Sequence, residues 1–520
     1  MNPITTALRL APLQAATSAL PASATRQATT VTDTPATQVT LGQDARITDA
    51  DTYSSLRTPA VRYAWQNENA LDKLSMKMYG SVTGTSIGAR FQGLGASLIE
   101  QLAANGGQRV SQSALVVGDS SATTPGALEL QRAHLREHAS NSITLNLTTA
   151  SGATVTIGLY SDEQGLAVDA SVANGELNAA ELKALAKIAD GFQQAVDGLA
   201  QDIPSLKLDG LLQVDQSLFT GVQMNASLKL ASGEQQTFDL RLDGSQRSLN
   251  LQGPDGQVKL ELDSQDGALL GNQAQRSAAL NNYLTQFDAA RQRGQGDKQL
   301  NTLFKDAFRQ LNSVDDDSPR PANHDWKMNT LSRSLLSGLA DFKASISQTT
   351  DAPNPMRQDE VDHFDYSVSQ STSKVGKGNN FSVQQDQQSS LKAAWHTSLD
   401  PRVDLLLTRD SKTQNYRYYQ VNDQASSSTR TSIVDGALQA ASTTREASQS
   451  ERVQEYVKGD LKSDKTTADS ERKAQDQRNL IDTLLARDTR SRKLKGISSF
   501  AQDMASNSRQ WLLQGNPSRL

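Results

Sequence analysis

The sequence predicts an α+β protein: a central antiparallel sheet with a packed helix, flanked by helical segments and a second, polar antiparallel β region. Three observations carry this. Apolar residues alternate with polar ones over 141–172 and again over 222–263. Between them, residues 178–200 follow a helical period, with Leu182, Leu185, Ile188, Phe192, Ala195 and Leu199 on one face. Period two then returns across 360–458, with Ser, Gln, Thr and Lys at the alternate positions.

Residues 1–50 are rich in Ala, Thr, Ser and Pro and lack bulky apolar periodicity, so a disordered tail is expected. Pro12, Gln14 and Thr17 interrupt the apolar residues there, which argues against a cleaved signal peptide. Residues 51–139 read as helical, with a Gly-rich linker through Gly80, Gly84, Gly88, Gly93 and Gly95. Residues 140–265 form the best-signalled unit. Ile143, Leu145 and Leu147, then Val155, Ile157 and Leu159, then Leu166, Val168 and Ala170 alternate as a β-meander, and four further strands follow the helix. Turns at Ser232-Gly233, Asp243-Gly244 and Pro254-Asp255-Gly256 separate them.

Residues 272–346 predict a helical hairpin or three-helix bundle. Leu280, Leu284 and Phe287 mark one helix, Leu300, Phe304 and Phe308 a second, and Trp326, Leu331, Leu335, Leu339 and Phe342 a third. In the polar β region of 360–458, Phe364, Tyr366 and Val368 alternate with polar residues, as do Leu391, Ala393 and Trp395. Residues 425–450 hold so few large apolar groups that strand and disorder are equally compatible with them. Residues 464–515 are expected to be C-terminal helices. They carry a basic cluster at Arg487, Arg490, Arg492, Lys493 and Lys495, then a stripe of Ile497, Phe500, Met504 and Trp511. That stripe fits either a partner-binding helix or closure of the protein's own core.

Composition narrows the chemistry. The 520 residues contain no cysteine, which excludes disulfides, thiolate catalysis and Cys-ligated metals. The net charge of −5 gives no general attraction to nucleic acid, and none is expected as a partner. No run of about 18 apolar residues occurs, so no transmembrane helix is expected. Aromatics make up 5% of the chain and mean hydropathy is −0.54, which fits modest cores joined by polar connections.

Three segments resemble functional motifs. Aligned on Gly175, the stretch Asn174-Gly-Glu176-Leu-Asn178-Ala-Ala-Glu181 matches the second half of an EF-hand calcium loop. The leading ligand positions then fall on Ala170 and Val172, which carry no ligand oxygen. The same residues satisfy a helix start, with Asn178 as N-cap, Glu181 at N3 for a capping box, and Leu177 and Leu182 as a hydrophobic staple. Gly84-Thr-Ser86-Ile-Gly88 matches the nucleophile elbow G-x-S-x-G, without the alternating βα context or downstream His that a serine hydrolase needs. His134-Leu-Arg-Glu137-His138 matches H-x-x-E-H, in which two imidazoles one turn apart bind zinc beside a Glu base. No nucleotide-binding motif occurs and no cofactor is expected.

The expected function is therefore that of a non-enzymatic structural or interaction protein with an unknown protein partner. The Ser/Thr-rich start is compatible with a cytoplasmic protein or with a bacterial product exported without a cleaved signal. The alternatives are a serine hydrolase using Ser86, a zinc metallopeptidase using His134, Glu137 and His138, and a calcium-binding domain at Asn174, Glu176, Asn178 and Glu181.

Overall fold

The structure, a computed structural model, describes residues 61–67, 72–117, 124–201, 203–263, 270–313 and 330–520. The expected N-terminal tail, Trp326 and the Asp/Pro-rich link before it lie outside these residues. The described chain is α+β and is built on a single antiparallel sheet of 15 strands.

Strand β1 (Arg62–Trp65) begins one edge. Helices α1 (Lys73–Ser81), α2 (Ile87–Phe91) and α3 (Leu94–Ala104) lead to β2 (Val110–Val117). After α4 (Pro125–His138) come β3 (Asn141–Thr149), β4 (Thr154–Asp162) and β5 (Gly165–Ala173). Helices α5 (Ala179–Lys187), α6 (Ala189–Leu199) and α7 (Asp209–Leu212) separate these from β6 (Phe219–Lys229), β7 (Gln235–Asp243), β8 (Gln246–Gly253) and β9 (Gly256–Asp263). Next are α8 (Gln273–Gly294), α9 (Lys298–Ser313), the short α10 (Thr330–Ser334) and β10 (Phe342–Gln348). The long strands follow: β11 (His363–Lys377), β12 (Asn380–Ser398), β13 (Tyr416–Val434), β14 (Ala437–Val457) and β15 (Asp460–Asp476). Helices α11 (Arg478–Lys495) and α12 (Phe500–Asn507) precede a coiled terminus. The strand order is β1-β2-β5-β4-β3, then β6 through β15 in sequence.

Several elements differ from the sequence expectation. Residues 110–117 and 62–65, expected in a helical segment, are strands, and Val110, Ala114 and Leu115 are buried. The third helix of the expected bundle shrinks to α10, and Phe342, Ala344 and Ile346 instead alternate into the core along β10. A helical period fitted Leu335, Leu339 and Phe342 because a Gly338 turn (φ 76°) resets the phase between them. Residues 464–476, expected to be helical, are strand, and 425–457 form paired strands β13 and β14 on either side of the Asp435-Gly436 turn. The sheet thus runs without interruption through the two β regions that the sequence separates.

Two tight turns explain how polar segments hold register. Asp435-Gly436 (φ 52° and 78°) joins β13 to β14, and Lys458-Gly459 (φ 53° and 86°) joins β14 to β15. Positive φ at both central residues matches the twist of the flanking strands, and glycine takes the second position without steric cost.

One sheet face carries most of the helices. On it Phe287 of α8 packs against Phe304 and Phe308 of α9 and Tyr366 of β11 at centroid distances of 4.6, 5.1 and 5.9 Å. Further along, the same face is filled by polar side chains that bond one another. Tyr283 donates to Gln370 and Gln387, Gln387 accepts from the Leu513 amide, and Ser427 donates to the Trp511 carbonyl. Buried amides and hydroxyls that find partners avoid the desolvation cost of orphaned ones. This explains why segments poor in apolar residues still form a covered layer. The stripe of Phe500, Met504 and Trp511 lies in this layer and closes the protein's own core, whereas Ile497 is exposed.

On the opposite face, α4 covers β2, β4 and β5 through Leu128 and Leu135 against Leu115, Ala167 and Tyr160. Beyond it, from β9 to β15, this face carries a groove. Among the described residues no helix is long and apolar enough to cross a membrane.

Candidate functional site

The groove follows from strand alternation. In β11 and β12 the residues Phe364, Tyr366, Val368, Leu391 and Ala393 point toward the helices, so their neighbours point away. Cross-strand register then aligns those neighbours into rows. One row runs Glu261, Lys343, Ser369, Gln388, Ser426, Glu446, Arg472 from β9 to β15. A parallel row begins at Lys259 and Ser345, and continues through Ser367, Ser390, Gln424, Ser448 and Ser470. Together they line a groove of about 1080 Å³. Its centre is hydroxyl and amide, and ion pairs mark its two ends, Lys259–Glu261 and Arg472–Glu446 at 2.9 Å each. Such a floor donates and accepts hydrogen bonds along its length, and its exposed lining is about as much apolar as polar.

Farther along the same face, residues 351–362 and 399–415 cover the ends of β12 to β14. Beneath them is a buried polar network. His396 Nδ1 lies 2.6 Å from Asp362 Oδ1 and its Nε2 3.0 Å from Glu360 Oε2. Both partners are carboxylates, so the imidazolium form, which donates from both ring nitrogens, is the one that satisfies both contacts. Burial pushes the imidazole pKa down, but the hydrogen bonds and charges of Asp362 and Glu360 outweigh it and hold the value above the usual 6.5. Burial pushes Glu360 up, but hydrogen bonds from His396 and Tyr416 hold it below the usual 4.5. The Tyr416 hydroxyl donates to Glu360 at 2.7 Å. Burial and the nearby carboxylates push Tyr418 up to about 12. Asn354 bonds the Tyr416 hydroxyl and Gln414, and the Arg357 guanidinium sits 4.4 Å from the Tyr456 ring centre. The His396 side chain is 0% exposed and both its nitrogens are engaged. The network is suited to locking the covering loops down, and offers no free base or acid to a substrate.

Comparison with protein-family models, curated proteins and solved structures finds no match.

The residues singled out from sequence occupy other places. Ser86 is the N-cap of α2, and its hydroxyl accepts from the Ala89 amide at 3.2 Å. His134, Glu137 and His138 all lie exposed on α4. The two imidazole centres are 4.9 Å apart, and Glu137 comes within 3.9 Å of His138. Arg132 and Arg136 of the same helix bind the Trp65 carbonyl, Gln66 and Ser111, so the opposite side of α4 is the anchored one. Among the described residues, no group of three or more His, Asp or Glu side chains is placed to hold a metal ion.

At the EF-hand-like stretch, Asn174 (φ 59°) and Gly175 (φ 147°) make the turn out of β5. Asn178 Oδ1 accepts from Ala180 and Glu181 amides, and Glu181 Oε2 accepts from the Asn178 amide at 2.9 Å, which completes a capping box. Glu181 is buried. Burial pushes its pKa up, but hydrogen bonds from Asn178, Ser151 and Thr149 hold it below the usual value. Its carboxylate is therefore committed inward. Asn178→Ala is expected to cost about 1 kcal/mol in urea unfolding. The melting temperature should be the same in calcium and in EDTA; a calcium-dependent rise lost in Glu181→Gln would reverse this reading.

Sequence reasoning missed the groove. Alternation over 360–458 was visible, but register across seven strands was not, so Lys259, Lys343, Glu446 and Arg472 could not be grouped. His396 looked isolated because Glu360 and Asp362 reach it from a loop 34 to 36 residues earlier.

Proposed function

We propose that this is a non-enzymatic interaction protein that takes a polar, extended segment of a protein partner along the groove between β9 and β15. The single observation behind this reading is the groove itself: a floor of aligned Ser and Gln side chains, bounded by charge, on the part of that face away from α4 and the covering loops. An extended chain presents backbone amides and carbonyls at regular spacing, and aligned hydroxyl and amide groups can meet them one by one. The buried network at His396 supports the reading by fixing the loops at one end of that face without consuming its polar groups. An exported setting rests only on the Ser/Thr-rich N-terminal composition.

A photoreactive residue at Ser390, on the groove floor, is expected to capture a partner protein from extracts of the native cells. The same residue at Asp482, exposed on α11, should not. Ser426→Trp, which fills the groove, should reduce the Ser390 capture at least about tenfold while stability changes by no more than about 0.5 kcal/mol, as for other surface replacements. Ester or peptide hydrolysis by the purified chain, abolished by Ser86→Ala or by His134→Ala, would replace this reading with an enzymatic one.

A further inference from the structure

The last strand leaves one side of its backbone unpaired among the described residues. β15 pairs with β14 over Asp460–Asp476 and stands at the end of the strand order. No turn or loop backbone hydrogen bond among the described residues reaches 461–475. An edge of 17 residues is a template for another strand unless its side chains forbid the pairing. The charges on β15 decide which strand it accepts.

Side chains of a strand alternate between faces, so a two-fold pairing that keeps both sheets in one plane sets each residue opposite one on the same face. Centring the axis on Ala468 sets Asp464 against Arg472 of the partner subunit on the groove side. It sets Lys465 against Glu471 of the partner subunit on the helix side. Symmetry makes each pair twice, and the one like-charged pair, Asp460 with Asp476 of the partner subunit, falls at the two ends of the strand. Moving the centre to Thr467 sets Lys462 against Arg472 of the partner subunit. Moving it to Asp469 sets Lys465 against Lys473 of the partner subunit and Asp469 against Asp469 of the partner subunit. Opposite charges directly across an antiparallel pair stabilise it and like charges oppose it, so Ala468 is the favoured centre. Within the chain, Arg452 already binds Asp464 and Arg472 already binds Glu446. Across the junction these join into one row of alternating sign.

We propose that β15 is a self-association edge: a second copy of this chain adds antiparallel along it, centred on Ala468, and joins two sheets into one. The partner is this chain because the strand is complementary to itself, and the groove stays open on the joined sheet.

Sedimentation of the full chain over about two decades of concentration tests this by mass action. The 56.1 kDa chain should double its mass as concentration rises, less readily at high salt, where exposed charge pairs are screened. Lys465→Glu alone and Glu471→Lys alone each turn two attractive pairs into repulsive ones and should raise the dimer Kd about tenfold. The double variant Lys465→Glu with Glu471→Lys restores opposite charges and should recover the original Kd, which a loss of fold would not do. A chain that stays monomeric at every concentration, single variants that associate as tightly as the parent, or a double variant as weak as the singles would each overturn the proposal.

Discussion

Replacing His396 with Ala is expected to lower stability by about 3 to 5 kcal/mol, read as the shift of the urea midpoint at neutral pH. The His396 ring joins two carboxylates beneath the covering loops, and its removal leaves Glu360, 5% exposed, with the longer 3.8 Å contact to Arg357 in place of the 3.0 Å one to the imidazole. The pH dependence has a defined sign. The imidazole pKa is raised in the folded state, so its contribution is complete below the unfolded value near 6.5 and is lost as pH climbs through the folded value. Glu360 is held low, so its contribution is complete above the unfolded value near 4.5 and is lost as pH falls through the folded value. Stability should therefore decline on both sides of a plateau lying between these limbs. His396→Ala should flatten the alkaline limb. A parent stability curve that rises through pH 7 to 8 would contradict the assignment.

Trp511→Ala should be about as damaging, at roughly 3 to 5 kcal/mol. Trp511 is 1% exposed, and its carbonyl accepts from Ser427 of β13 while the next residues engage Gln387 of β12 through Leu513. The substitution opens a cavity between the terminus and the sheet and loosens the polar layer that holds β12 and β13 flat against it. Trp511→Phe keeps most of the apolar contact and should cost less than half as much. Equal losses for the two variants would mean that the ring's volume is not what seats the terminus.

How much of this was legible in the sequence depended on what each signal measures. The meander of Ile143, Val155 and Leu166 and the capping box at Asn178 are local, and both elements formed at the residues that signalled them. Apolar periodicity failed where burial is polar. Gln370, Gln385, Gln387, Thr429 and Thr443 are all buried on the helix-bearing face, held by hydrogen bonds rather than by apolar contact. No hydropathy pattern marks such positions as core. The same blindness made β15 look helical, because the many charged and polar residues of 460–476 have no apolar phase to read. The Asp435-Gly436 turn was the one local sign that 425–450 folds into a hairpin. The groove and the His396 network were invisible for a different reason. Each is assembled from strands or loops that only register and tertiary contact bring together, whereas the motifs at Ser86 and His134 are contiguous in sequence, the kind that chance readily supplies.

We propose that the polar face from β9 to β15 is the surface through which the protein acts. The direct measurement is photo-capture from Ser390 with and without Ser426→Trp, alongside the melting temperature of each chain. Capture that is lost on filling the groove, with the melting temperature unmoved, is the expected result. Capture that persists in Ser426→Trp, or that is equally strong from Asp482, would contradict it.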